Sequence, residues 1–422
     1  MTSPSLIHIN LPARLQGTIS LPTSKSISAR ALTISALTGG TQPQGLSDCD
    51  DTHALQAAIA HRPAIIDIGA AGTAMRFGTA LFACTPGEHV LTGSPRMLER
   101  PIGLLVDALR SLGADITYEG TEGFPPLRVK GHPLKGGHTT IPASVSSQYI
   151  SALLMIAPTM TEGLTLTLEG EIASRPYIDM TLAIMKAYGA QADWTAEGQA
   201  IRVAAGGYRP TEWTVEPDWS AASYWYEMVA LSDDAEACIC LKGLRAESLQ
   251  GDSCISQIFL PLGVKTTFTD EGAVLTKTAA VESLDFDFTH CPDLAQTVVA
   301  TCAMMGVAFH FNGLKSLKIK ETDRIVALQT ELRKLGVEVA ADNESMTLTT
   351  DAAALFKSRL RLETAQASTP IATYADHRMA LAFAPCAYRF PGLAIAHPEV
   401  VSKSYPAFWA DLERVGATIE KA

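Results

Sequence analysis

Apolar and polar positions along this chain recur in a fixed order. Six stretches open with a small or polar residue and lead into an apolar run, beginning at Ser26, Thr73, Ser146, Ser220, Leu294 and His377, at intervals of 47, 73, 74, 74 and 83 residues. Each reads as a helix start. Between them lie amphipathic stretches that stop at a glycine and pass into an apolar, strand-like segment. The glycines are Gly113, Gly189, Gly263, Gly336 and Gly416, at intervals of 76, 74, 73 and 80 residues, and a glycine after the last apolar turn is the usual helix stop. Thr52 to His61 reads as a sixth, shortened member without its glycine. The pattern predicts an α/β protein of six copies of one unit, each with two helices and short strands between.

Six copies divide into two sets of three, with the middle near Glu216-Pro217-Asp218. A chain of 422 residues also exceeds what one core usually serves. Gln16 to Leu21 reads as a strand ahead of Pro22; if this tail pairs with the second half, the chain crosses twice between domains, near residues 21 and 217. The expected domains are 22–217, and 1–21 with 218–422, with an active-site cleft between them.

Composition narrows the class. The chain is 47% hydrophobic and 18% charged, as globular proteins are. No apolar run reaches membrane-helix length, and Met1-Thr2-Ser3-Pro4-Ser5 has no leader character, so a cytoplasmic location is expected. The eight cysteines are scattered and suit no common zinc spacing, which points to reduced thiols. A net charge of −11 argues against nucleic acid and anionic membrane as partners.

Local chemistry runs against that acidic balance. Helix starts carry Lys25, Ser26 and Arg30, then Arg76, Arg100, Ser146, Ser147, Arg324, Arg378 and Lys403. Helix amino ends present unpaired N–H groups, so added cations and hydroxyls make anion sites for phosphate or carboxylate. Taken singly, each motif is an ordinary helix cap or solvated charge cluster. Gly69-Ala70-Ala71-Gly72-Thr73 is a tight turn and not a P-loop, since no Gly-Lys-Ser/Thr follows. The repeat changes their weight, because it places them at equivalent helix ends that can converge.

With these residues assembled, the chain resembles the 5-enolpyruvylshikimate-3-phosphate synthase family over nearly its whole length. The resemblance rests on Leu21 to Arg30, Gly72-Thr73-Ala74-Met75-Arg76, Glu99-Arg100-Pro101-Ile102, Ser146-Ser147-Gln148 and Ser174-Arg175-Pro176-Tyr177. It continues through Pro292-Asp293, Lys320 to Arg324, Asp376-His377-Arg378-Met379 and Lys403. It implies a two-domain inside-out α/β barrel, three units per domain, helices inside and sheets outside. It also implies transfer of the enolpyruvyl group of phosphoenolpyruvate to the 5-hydroxyl of shikimate 3-phosphate, without metal or cofactor; one chain contains a complete set of these residues, so a monomer is expected.

Carried over by position, the resemblance assigns Ser26, Arg30, Ser146, Ser147, Gln148, Ser174, Tyr177 and Lys320 to shikimate 3-phosphate. Lys25, Gly72, Arg100, Gln148, Arg324, Arg378 and Lys403 fall to phosphoenolpyruvate. Asp293, also a substrate contact, and Glu321 become the proton-transferring carboxylates, with Lys25, His377 and Lys403 as their cationic partners. Glyphosate is expected to compete with phosphoenolpyruvate, Gly72 leaving room for it. Two positions depart from the family: Ala70 stands where Asn is usual, and Phe77 where Pro is usual. The rival readings are a UDP-N-acetylglucosamine enolpyruvyl transferase and a non-catalytic ligand-binding relative. Against the first, Ser26 follows Lys25 where that family has Asn, and no cysteine lies between Gly87 and Arg100.

Overall fold

The computed structural model describes residues 5–39, 42–144, 146–362 and 369–421, so the leader reading of Met1 to Pro4 lies outside the described residues. The chain forms two compact units: Thr23–Glu216, and Met1–Pro22 with Pro217–Ala422.

The Thr23–Glu216 unit contains seven helices among the described residues: α1 (Lys25–Thr38), α2 (Asp50–His61), α3 (Gly72–Cys84), α4 (Pro95–Leu98), α5 (Gly103–Ser111), α6 (Ser147–Ile156) and α7 (Arg175–Ala187). Helix α3 packs against α1 and α6 in the middle of the unit, and α3 and α6 bury almost every residue. A helix apolar all round belongs in a core, not at a surface. Two four-stranded sheets flank this bundle. One runs Ile65–Asp67, Gly87–Thr92, Leu127–Gly131, Asp115–Tyr118; the other Gly137–Pro142, Leu164–Glu169, Ala200–Val203, Ala192–Trp194. In each, the first pair is parallel and joined through a helix, and the rest is antiparallel. The first copy is reduced. Helices α1 and α2 have no sheet of their own among the described residues, only the bridge Gln44↔Thr214, which is the physical meaning of the short first interval.

The Met1–Pro22 and Pro217–Ala422 unit continues with α8 (Trp219–Leu231), α9 (Ile255–Phe259), α10 (Ala295–Met305), α11 (Arg324–Lys334), α12 (Thr350–Leu362), α13 (His377–Phe383) and α14 (Phe408–Arg414). Here α8, α10 and α13 pack together as the buried centre, and three sheets lie around them. The amino-terminal strands complete two of these: Leu6–Asn10 sits between Leu393–Ala396 and Thr418–Lys421, and Gln16–Ile19 pairs in parallel with Cys238–Lys242. Ser283–Asp287, Ala308–Asn312, Met346–Leu348 and Ala340–Ala341 form the third. The five repeat glycines all have positive φ, between 81° and 102°, the left-handed conformation that ends a helix at little steric cost. Two elements differ from the periodic expectation. The helix before Gly263 is cut to one turn, α9, and α12 falls outside the repeat.

Glu227 lies within α8 with no exposed surface. Among the described residues its oxygens make no well-formed hydrogen bond: the neighbouring Thr301 hydroxyl, which offsets part of the effect of burial, donates to Thr297 O at 2.7 Å. Burial pushes this carboxyl well above its ordinary value of about 4.5. Above that pH the folded chain therefore binds more protons than the unfolded chain, so this group's contribution weakens as pH rises towards the folded pKa. Glu227→Met should raise stability by about 2 kcal/mol at pH 8, with a smaller gain at pH 5. Thermal unfolding at both pH values checks this, and equal midpoints for parent and variant at pH 8 would contradict it.

Candidate active site

In the Thr23–Glu216 unit most of the predicted residues sit near helix amino ends, while Arg100, expected at a helix start, lies in the connection between α4 and α5. Ser24 caps α1, its hydroxyl accepting from Ile27 N, and so places Lys25 in the first turn. Lys25 Nζ pairs with Asp51 Oδ2 at 3.1 Å, from the first turn of α2. One turn along α1, Arg30 is buried, and its guanidinium donates to four neutral oxygens: Thr181 Oγ1 (2.7 Å), Ser26 O (2.9 Å), Ser151 Oγ (3.1 Å) and Tyr177 O (3.2 Å). The Phe77 ring lies 5.4 Å from it. Burial lowers its pKa to about 10, which leaves it charged at neutral pH. No carboxylate pairs with Arg30 among the described residues.

The turn before α3 brings Gly72 against Arg100, where a Cβ would stand 2.6 Å from Arg100 Nη1. Arg76, also buried, points inward and ties this turn down by donating to Gly72 O and Pro101 O. Ser146 caps α6, accepting from Gln148 N at 3.3 Å, and Gln148 Nε2 donates to Thr73 Oγ1 at 3.1 Å. These bonds join Gln148 and Ser146 to the turn at Gly72 and Thr73. Ser174 begins α7 in the left-handed region, at φ 54°, ahead of Tyr177. Arg175 turns away, stacking on Trp194 at 4.4 Å. Ala70 lies in the turn that starts from the Asp67 carboxylate.

In the other unit the predicted residues form one network centred on Arg324, at the start of α11. Its Nε donates to Asp376 Oδ2 at 2.7 Å, Nη1 faces Asp293 Oδ1 at 3.3 Å, and Nη2 faces Glu321 Oε2 at 3.1 Å. Burial works against its charge, and Asp376, Glu321 and Asp293 more than offset this, raising it above its ordinary value. Asp293 also meets Arg378 (3.1 Å) and Lys320 (3.5 Å), and Glu321 meets Lys403 (3.0 Å). Burial lowers the Lys320 pKa while Asp293 pulls it up. Asp376 caps α13, accepting from Arg378 N, and lies 3.5 Å from His377 Nδ1.

Several carboxylates here were missed by sequence reasoning. Asp51, the partner of Lys25, stands one residue before the stretch Thr52 to His61 and carries no sequence signal of its own. Asp376 was seen beside His377, but not as the hub's strongest partner. Asp252 is buried and accepts from Ser220 Oγ, whose oxygen lies 3.4 Å from Arg378 Nη2. Burial first, then Asp293, raises its pKa to about 6. Nothing in its neighbourhood, Leu249 to Asp252, breaks a periodicity or matches a motif. The result is four cations (Lys320, Arg324, Arg378, Lys403) interleaved with four carboxylates (Asp252, Asp293, Glu321, Asp376), not the bare cationic patch that helix-start counting suggests. Chemically, such a set can hold anions while keeping acids and bases in place for proton transfer.

The pattern that defines the family described as EPSP synthase (3-phosphoshikimate 1-carboxyvinyltransferase) matches residues 52–412. A 3-phosphoshikimate 1-carboxyvinyltransferase of Bacteroides fragilis is 52% identical over 414 residues, 98% of each chain. Another from Photobacterium damsela subsp. piscicida is 35% identical over 443 residues, 98% of this chain and 100% of the relative. Among solved structures, an EPSP synthase from Acinetobacter baumannii superposes with a TM-score of 0.75 over 99% of this chain and 100% of that one, at 20% identity, a likeness of fold. By family pattern and by near full-length identity to these relatives, the chain belongs to the EPSP synthase family.

Proposed function

We propose that this chain transfers the enolpyruvyl group of phosphoenolpyruvate to the 5-hydroxyl of shikimate 3-phosphate, releasing phosphate, as a step towards chorismate and the aromatic amino acids. The observation that carries the reading from family to residues is the charge arrangement around Asp293 and Glu321. Each carboxylate is held between two or more cations, so each can take part in proton transfer next to bound anions.

In this reading Asp293 and Glu321 carry the proton transfers. A proton goes to the methylene carbon of phosphoenolpyruvate, making it a methyl group. The 5-hydroxyl oxygen bonds to the adjacent carbon and gives up its proton. The resulting tetrahedral intermediate loses phosphate and a methyl proton, which restores the vinyl group. Arg324, Arg378, Arg100, Lys25 and Lys403 hold the phosphoenolpyruvate anion and stabilise the charge that develops. Ser26, Arg30, Ser146, Ser147, Gln148, Ser174, Tyr177 and Lys320 hold shikimate 3-phosphate. Arg30 suits that role because its described partners are all neutral oxygens, so the charge it carries is available to a phosphate or carboxylate. His377 supports this set through Asp376. Neither unit carries both residue sets, so the reaction needs residues from each. One chain supplies all of these groups and works as a cytoplasmic monomer. No helix among the described residues is long and apolar enough to cross a membrane.

Phosphate release with shikimate 3-phosphate and phosphoenolpyruvate tests the activity; turnover with UDP-N-acetylglucosamine in its place would overturn it. Lys25→Ala should cost at least about a hundredfold in turnover, about 3 kcal/mol of barrier, in a folded protein. A rate near the parent's would remove Lys25 from the site. Asp293→Asn and Glu321→Gln should each still bind shikimate 3-phosphate in calorimetry while turning over at least about a hundredfold more slowly; loss of binding would make the residue a substrate holder instead. Gly72→Ala should raise the KM for phosphoenolpyruvate by about tenfold or less, through displacement of the mobile end of Arg100 and not of backbone. An unchanged KM would show that Arg100 moves without consequence.

A further inference from the structure

Directly before Asp376 the backbone makes a turn that its own side chains disfavour. Asp376 N donates to Thr373 O at 2.8 Å, closing a four-residue turn whose central residues, Tyr374 and Ala375, have φ of 54° and 52°. Two positive φ angles in succession define the mirror-image turn that Gly and Asn populate, because a Cβ in that conformation crowds the following carbonyl. Tyr-Ala is a poor sequence for it. Such a turn persists when its surroundings over-determine it.

The surroundings here are one residue of α11. Glu331 has no exposed surface; its Oε1 accepts from the Tyr374 hydroxyl at 2.6 Å and its Oε2 from Ala372 N at 3.1 Å, while Lys334 Nζ lies 2.7 Å from Oε2. Tyr374 is 38% exposed, and its hydroxyl fastens it to Glu331. Burial, then the bond to Glu331, raises the phenol to about 12, and it stays a donor at neutral pH. Two helical turns back along α11, Arg324 grips Asp376 at the other end of the same turn. A single helix therefore holds both ends of a strained segment, and α13, which carries His377 and Arg378, starts at its last residue.

We infer that Glu331, acting through the Tyr374 hydroxyl, is a positioning residue: it holds the Thr373–Asp376 turn in its left-handed form and thereby sets where Arg378 meets phosphoenolpyruvate. This rests on the assignment of Arg378 proposed above. The test compares the parent with Tyr374→Phe, Glu331→Gln and the double variant Tyr374→Phe/Ala375→Gly in the phosphate-release assay, with thermal unfolding alongside. Tyr374→Phe should raise the KM for phosphoenolpyruvate about tenfold while the KM for shikimate 3-phosphate and the unfolding midpoint stay at the parent's values. Adding Ala375→Gly should restore the KM to within about twofold, because glycine takes the turn without strain. Glu331→Gln, if folded, should shift the same KM in the same direction. A parent KM for Tyr374→Phe, an equal rise in both KM values with a lowered midpoint, or failure of Ala375→Gly to restore would each overturn the inference. A parent with no turnover overturns the activity itself and this inference with it, a result distinct from an active parent matched by its variant.

Discussion

The carboxy-terminal half of the candidate site depends on the burial of one guanidinium. Arg324 is 2% exposed, and an arginine at such a depth has to be met by charge or hydrogen bonds, because burying an unpaired cation costs far more than folding can spare. Three carboxylates meet it, and they arrive from three places in the chain: the turn before α10, the residues before α11 and the cap of α13. Each of those carboxylates then holds a further side chain of the site, Asp293 meeting Lys320 and Arg378, Glu321 meeting Lys403, and Asp376 fixing the start of α13. Removing any one partner would leave charge unbalanced in a place that water hardly reaches.

Arg30 in the other unit solves the same problem differently. It too is buried, but its described acceptors are hydroxyls and carbonyls on α1, α6 and α7. Neutral acceptors satisfy the N–H groups without cancelling the charge. A guanidinium held this way keeps its full attraction for an anion, whereas the charge of Arg324 is shared among Asp376, Glu321 and Asp293. The two arginines look alike in sequence, each near the amino end of a helix. Their partners leave one inside an ion network and the other among neutral oxygens.

Both arrangements follow from the way the repeat is built. Each copy sends its most apolar helix to the centre of its unit and leaves polar groups at that helix's amino end, so α1, α3 and α6 present one set of ends and α8, α10 and α13 another. The first copy has lost its sheet and kept its helices. That difference shows what the unit requires: the central helix is needed for the core, while a flanking sheet can be reduced to a bridge.

Much of this was legible without coordinates. The period of the apolar runs, the glycine stops and the polar helix starts are local properties of the chain, set by side-chain polarity and by the φ angles glycine allows, so they predict repeated copies of one unit and point to candidate cations near helix starts. Which charges face one another is not local. Lys25 and Asp51 stand on different helices, Asp252 belongs to a short turn with no periodic signal, and Arg324 reaches Asp376 across 52 residues. The left-handed turn at Tyr374-Ala375 was beyond sequence reasoning for a related reason, since local preference argues against it and a carboxylate on another helix overrides that preference. Polarity and backbone preference are written residue by residue, while ion pairing depends on distance in space, and distance is what the tertiary structure decided.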